Sequence, residues 1–380
     1  MADRYFIDEE PALIEKLDAF LGKLRHSLEE SPFKTQLVVL LLGGGYGRGE
    51  GGVYRGPEIR GAALYNDLEF YVITTGRRAP PGLQEWCNQW AEEGHRETGI
   101  EVEFKILPAS ALQQGEPSMF YYDLLLGHRL VWGVDSFCTS LPASLRDAMG
   151  IPATEVARLL FNRGSGLLFC REILSKNDSS GDSTFIERNH AKARLALADA
   201  ALALNGRYDW SCQSRHAQLE ASLAQIPPDW PLLKEWHGQG VNFKLRPRHE
   251  FPGAQVLRER QKEMTAVWLR TFLWVESIRL KKSWPDPAAY VSEAGRIFPE
   301  SSGFKNMALR VRDRLRIGSR LPDLFDYPRG ALQRVLVLLL GSAETNRVAW
   351  RQAACLLGRS PTSDPGTIMQ AYRWWWQRYN

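Results

Sequence analysis

Two hydrophobic rhythms divide this chain, and the boundary between them falls near Pro108. Before it come three short apolar runs with strand signatures. QLVVLLL (36–42) is continuous, β-branched and closed by glycines, the pattern of a strand buried on both faces. LEFYVIT (68–74) and IEVEFKIL (100–107) are two further strand candidates. Residues 8–31 place Leu13, Leu17, Phe20, Leu21 and Leu24 at helical spacing, and 80–99 reads as a helix with proline before its start and Gly99 near its end. After Pro108 the helical period takes over and persists, through 153–175, 185–205, 254–282, 303–316, 328–343, 345–357 and 366–379. The expected class is α+β: a small mixed α/β domain followed by a large all-α helical region.

Composition bears mainly on what to exclude. The 48 Lys and Arg against 44 Asp and Glu leave a formal charge of +4 over 380 residues, which argues against a dedicated nucleic-acid binder. Cys87, Cys138, Cys170, Cys212 and Cys355 show no paired spacing, which predicts reduced, mostly buried thiols and speaks against structural zinc. The first residues are acidic and lack an apolar run, so no signal peptide is expected. LVVLLL (37–42) and VLVLLLG (335–341) are far too short to cross a bilayer, and the expected compartment is the cytoplasm, with no membrane partner.

The most informative segment is LLLGGGYGRGEGGVYRGPEIRGAALYNDLEFYVI, residues 40–73. Gly43, Gly44, Gly45, Gly47 and Gly49 follow a buried strand, and a turn so poor in side chains lets backbone amides approach a phosphate. A surface hairpin would use the same glycines. No GK[ST] follows, so the run is not a P-loop. Arg48 and Glu50 sit inside it, and a charge there needs either a role or a partner.

Asp67 and Glu69 flank Leu68, so strand alternation sets both carboxylates on one face. Like charges roughly 4 Å apart repel by about 4 kcal/mol at an effective dielectric near 20, and a dication between them relieves that. Mg²⁺ binds carboxylates together with substrate phosphate oxygens in this manner. Glu101 and Glu103 share a face of the next strand and offer a third acid, which suits two-metal phosphoryl transfer. A solvated strand face is the plainer reading, strengthened by Lys105 on the same side.

Taken together, Gly44-Gly45-Tyr46-Gly47-Arg48-Gly49-Glu50, then Asn66-Asp67-Leu68-Glu69, then Glu101-Val102-Glu103 resemble the DNA polymerase β-like nucleotidyltransferase superfamily, in particular its small-molecule adenylyltransferases. The resemblance covers about a fifth of the chain. It implies that the first domain is a nucleotidyltransferase core, that Gly44 and Gly45 hold the triphosphate of ATP or another NTP, and that Asp67 and Glu69 ligate Mg²⁺. EVEFKILPAS is similar to the EVDLRLRP stretch of glutamine-synthetase adenylyltransferases, which makes Glu103 the third carboxylate. The LEV-type strand of aminoglycoside adenylyltransferases would favour Glu101. Two departures stand out: the second acid of the pair is Glu, and VYRGPEIRGAALY (53–65) lengthens the gap between turn and acids.

Domain limits are expected at 1–115 (the core with its N-terminal helix), 116–225 (a helical bundle) and 226–380 (a second helical domain). The pattern breaks near 225–253, at IPPDWP and RPRHEFPG, and KNDSSGDST (176–184) is the most linker-like stretch. Residues 185–216 loosely resemble the bundle that follows the core in small-molecule adenylyltransferases. Lys192 and Asp199 lie two turns apart there, giving Lys192 a possible phosphate contact, although an exposed ionic face is the plainer reading. Arg163 stands among apolar residues as a paired charge or a phosphate ligand. Asp123 and His128 read as structural hydrogen-bonders. The run Trp374–Trp376 cannot face one way on a helix, so at least one ring is exposed or packed on another domain.

The function expected on these grounds is transfer of a nucleoside monophosphate, AMP foremost, from an NTP to a hydroxyl-bearing acceptor, with release of pyrophosphate. The alternatives are a nucleotide second-messenger synthase or protein-modifying transferase, and a non-catalytic nucleotide-binding interaction protein.

Overall fold

The computed structural model describes residues 4–57, 59–134, 136–176, 183–317 and 325–380. Most of the 176–184 stretch expected as a linker lies outside them. The class is α+β, with one small mixed sheet and many helices.

The sheet has four strands, which with a two-stranded hairpin are numbered β1 (Leu37–Leu42), β2 (Val53–Tyr54), β3 (Ala63–Leu64), β4 (Leu68–Thr74), β5 (Val102–Pro108) and β6 (Arg129–Gly133). Its order is β5-β4-β1-β6; β1 is antiparallel to both neighbours, and β4 and β5 are parallel. β2 and β3 form the separate hairpin. Helix α1 (Pro11–Glu30) and helix α3 (Leu83–Thr98) match the expected helices, α1 opening on Pro11 where a missing amide costs nothing. A one-turn helix α2 (Gly44–Gly47) lies between β1 and β2.

Alternation along β1 and β4 sends side chains to two cores. Leu40, Leu42, Phe70 and Val72 join Leu17, Phe20 and Leu24 of α1 and Leu83 of α3. Val39, Leu41, Tyr71 and Ile73 pack instead with Leu112, Leu124 and Leu125 from the helices Ala109–Gln113 and Met119–Leu126. A continuous apolar run such as LVVLLL is what a strand covered on both faces requires. One expectation needs correction: the pattern after Pro108 is not helical throughout, because RLVWG forms the edge strand β6.

The chain divides into two compact units. The first comprises 1–155, 201–225 and 231–250, and holds the sheet. The second comprises 156–200, 226–230 and 251–380. Trp268 anchors the second unit, its indole donating to the Leu160 carbonyl at 2.9 Å and lying where a Cβ on Gly164 would stand. The helix Pro328–Leu340 is buried along nearly its whole length. In the tryptophan run Trp375 is buried and stacks on Tyr379, Trp376 meets Phe169 edge-on, and Trp374 is 37% exposed, as three successive helical positions demand. Among the described residues no helix is long and apolar enough to cross a membrane. Four of the five cysteines are buried, and Cys355 is exposed.

Candidate functional site

The glycine segment leaves β1 and at once folds back on the sheet. The Gly43 amide donates to the Glu69 carbonyl at 2.8 Å, which ties the turn to β4. Gly44 has φ of 60°, and a Cβ there would sit 2.8 Å from Glu69 Oε1. The left-handed backbone favours glycine here, and the missing Cβ leaves room for the carboxylate beside it. The amides that open α2 point away from any intrahelical acceptor, as at every helix start.

Glu69 itself is half-buried. Its Oε2 accepts from the Tyr71 hydroxyl at 2.8 Å and from Lys105 Nζ at 3.2 Å. The parallel register pairs Glu69 with Glu103 and Tyr71 with Lys105, so these four side chains share one face. Lys105 Nζ also lies 3.3 Å from Glu103 Oε2 and bridges the two acids. Partial burial opposes its charge, but Glu69 and Glu103 outweigh that and hold the ammonium's pKa above its usual value. Burial, followed by the Glu69 charge, pushes the Tyr71 phenol upward. Asp67 is exposed, one residue ahead of β4, and lies near enough to Tyr46 for its charge to act on that buried phenol. Glu101 is exposed at the entry to β5, where its carbonyl accepts the Leu68 amide at 2.9 Å.

The two charges inside the glycine segment have internal partners. Arg48 Nη1 donates to Asp123 Oδ2 at 2.8 Å, and Tyr208 donates to the same oxygen at 3.3 Å. Glu50 is 2% exposed and accepts from Ser211 Oγ at 2.7 Å, the Cys212 amide at 3.0 Å and the Gln213 amide at 3.3 Å, with Lys244 Nζ at 3.3 Å. It thus caps the start of the helix Cys212–Gln218. Burial alone would raise its pKa; Lys244 and the donors from Ser211 and Cys212 bring it down to about 2. His128 is buried, and its Nδ1 meets the Leu124 carbonyl at 2.8 Å. Lys192 is exposed and Asp199 buried on the helix Ser183–Leu204, in the stretch that belongs to the second unit.

Sequence reasoning missed Tyr71, although its place two residues beyond Glu69 on the same strand was a usable signal. It also missed Ser211 and Lys244, for which nothing local in the chain gives a cue. A half-exposed aromatic cluster lies in the same unit. The Tyr65 hydroxyl meets His249 Nε2 at 3.0 Å, and Tyr54 and Phe243 pack against the same pair.

Among the described residues no group of three or more His, Cys, Asp or Glu side chains is gathered tightly enough to hold a metal ion. Glu69 and Glu103, paired in the parallel register, form an all-oxygen donor set whose shared position already attracts a cation, Lys105. That donor chemistry fits Mg²⁺, which commonly takes one or two carboxylates and completes its shell with phosphate oxygens and water.

No family model matches the chain, and no curated protein matches it. Among solved structures, a spectinomycin adenyltransferase from Enterococcus faecialis with ATP and spectinomycin aligns at 13% identity and a TM-score of 0.36. The alignment covers 68% of this chain and 99% of that one.

Proposed function

We propose that the first unit carries a nucleotidyltransferase centre at the α2 end of the sheet. The observation that carries the reading is the Glu69 carboxylate, which stands against Gly44 and in register with Glu103. Asp67, Glu69 and Glu103 are the residues that would hold Mg²⁺. When bound, the ion would supply positive charge to the triphosphate oxygens and align them for in-line displacement.

The chain's own residues account for the remaining roles. The Gly44 and Gly45 amides donate to phosphate oxygens, an approach that side chains would block. Glu103, or Glu101 at the strand entry, accepts the proton of the acceptor hydroxyl. The acceptor oxygen then forms a bond to the α-phosphorus of the NTP as the bond to the bridging oxygen breaks and pyrophosphate leaves. Arg48 and Glu50 keep the turn in place through Asp123 and the helix Cys212–Gln218, so they act as supports in this reading. The Lys105 bridge favours a second reading, in which the acids are permanently neutralised and the unit binds nucleotide without turning it over.

The test is pyrophosphate release and label transfer from α-labelled ATP with Mg²⁺ across a panel of hydroxyl-bearing small molecules. Transfer is expected, with D67N and E69Q each lowering kcat/KM by at least about a hundredfold, the size typical of lost transition-state charge stabilisation. E103Q should match them if it is the third acid, and E101Q if the role lies one alternation earlier. Nucleotide binding with no transfer to any acceptor would decide for the second reading.

A further inference from the structure

Among the described residues, Lys105 is the one cation in direct contact with both register-paired acids, and the geometry around it is specific. Its Nζ lies 3.2 Å from Glu69 Oε2 and 3.3 Å from Glu103 Oε2, and 5.5 Å from the centre of the Tyr71 ring. The alternation of β5 forces this: Glu103 and Lys105 must share a face, and the parallel register brings Glu69 alongside them. Two carboxylates held side by side repel, and an ammonium between them removes that penalty. Lys105 Nζ therefore stands where a dication shared by Glu69 and Glu103 would stand.

We propose that Lys105 is a built-in stand-in for the metal: it holds Glu69 and Glu103 together in the nucleotide-free protein and is displaced when a divalent ion arrives with its triphosphate. This rests on the nucleotidyltransferase reading of the same acids and adds an ordering to it. The ion alone must compete with a covalently tethered ammonium, so it binds weakly. An ion accompanied by triphosphate brings a new anionic partner for the released lysine, so ion and nucleotide bind cooperatively. The lysine side chain is 45% exposed and Glu103 41%, and an ion pair open to water is weak enough to give way.

The experiment measures Mn²⁺ binding to the full-length chain without nucleotide, by electron paramagnetic resonance, for wild type, K105M and K105R. K105M should bind the ion at least about tenfold more tightly than wild type, as removal of a competing charge at contact distance requires. K105R keeps the charge and should stay within about threefold of wild type. A thermal melt establishes that each variant is folded; should K105M melt early, K105Q takes its place. If wild type binds Mn²⁺ as tightly as the uncharged variants do, Lys105 is not a competitor and the proposal fails while the nucleotidyltransferase reading stands. If neither wild type nor the uncharged variants bind Mn²⁺ at millimolar concentration, the acids are not a cation site and both readings fall.

Discussion

A carboxylate buried as deeply as that of Glu50 stays ionised only if its surroundings replace the donors that water provided. Ser211, Cys212, Gln213 and Lys244 do so here. E50A should therefore cost about 3 kcal/mol, the loss expected when one partner of a buried pair is removed, read as a drop in the urea midpoint. The pH dependence follows from its depressed pKa. The folded-state value of about 2 lies below the ordinary 4.5, so the stabilisation is complete above pH 4.5 and disappears as pH falls towards 2. Its full size is of the order of 3 kcal/mol. The stability gap between wild type and E50Q should consequently narrow between pH 5 and about pH 3 in urea titrations; a gap independent of pH would mean that Glu50 is not charged in the folded protein.

At the level of elements, α2 is built from GGYG, residues with little intrinsic tendency to form a helix, and is held by its surroundings. Gly47 is the tightest of these contacts: a Cβ there would stand 2.1 Å from the Leu42 carbonyl oxygen at the end of β1. G47A should dislodge α2 from the sheet and lower the melting temperature by at least about 5 °C. An unchanged melt would show that the turn yields freely. The same contacts explain what could be read in advance. β1, β4, β5, α1 and α3 announced themselves because long apolar runs and helical spacing are local properties. That Glu101 and Glu103 share a face of β5 was likewise legible from alternation, but the register that sets Glu103 beside Glu69 was not. β6 escaped because RLVWG is five residues long, follows directly on an apolar helix and shows no clean alternation of burial. The partners of Arg48 and Glu50 escaped for another reason: Asp123, Ser211 and Lys244 are 75, 161 and 194 residues away in sequence, and no local pattern encodes them.

For the whole molecule, the path of the chain matters as much as its content. The first unit is assembled from three separate stretches, and the later two contribute Ser211 and Lys244 to Glu50 and His249 to Tyr65. Cutting after residue 155 would remove those groups and uncover the Glu50 turn that they hold. A 1–155 fragment should accordingly lack a cooperative melt by circular dichroism, whereas 1–250 retains every stretch of the first unit. A cooperative transition in the shorter fragment would refute this account of how the sheet is stabilised.

That interleaving has a consequence for biogenesis. A nascent sheet built by residue 133 must wait until residue 250 has left the ribosome before its last supporting stretch is available. At roughly 5–20 residues per second the delay is on the order of ten seconds, long compared with the collapse of a small domain. During that interval the Glu50 turn waits without Ser211 and Lys244, so expression yield should depend on chaperone supply and on translation speed across the intervening codons.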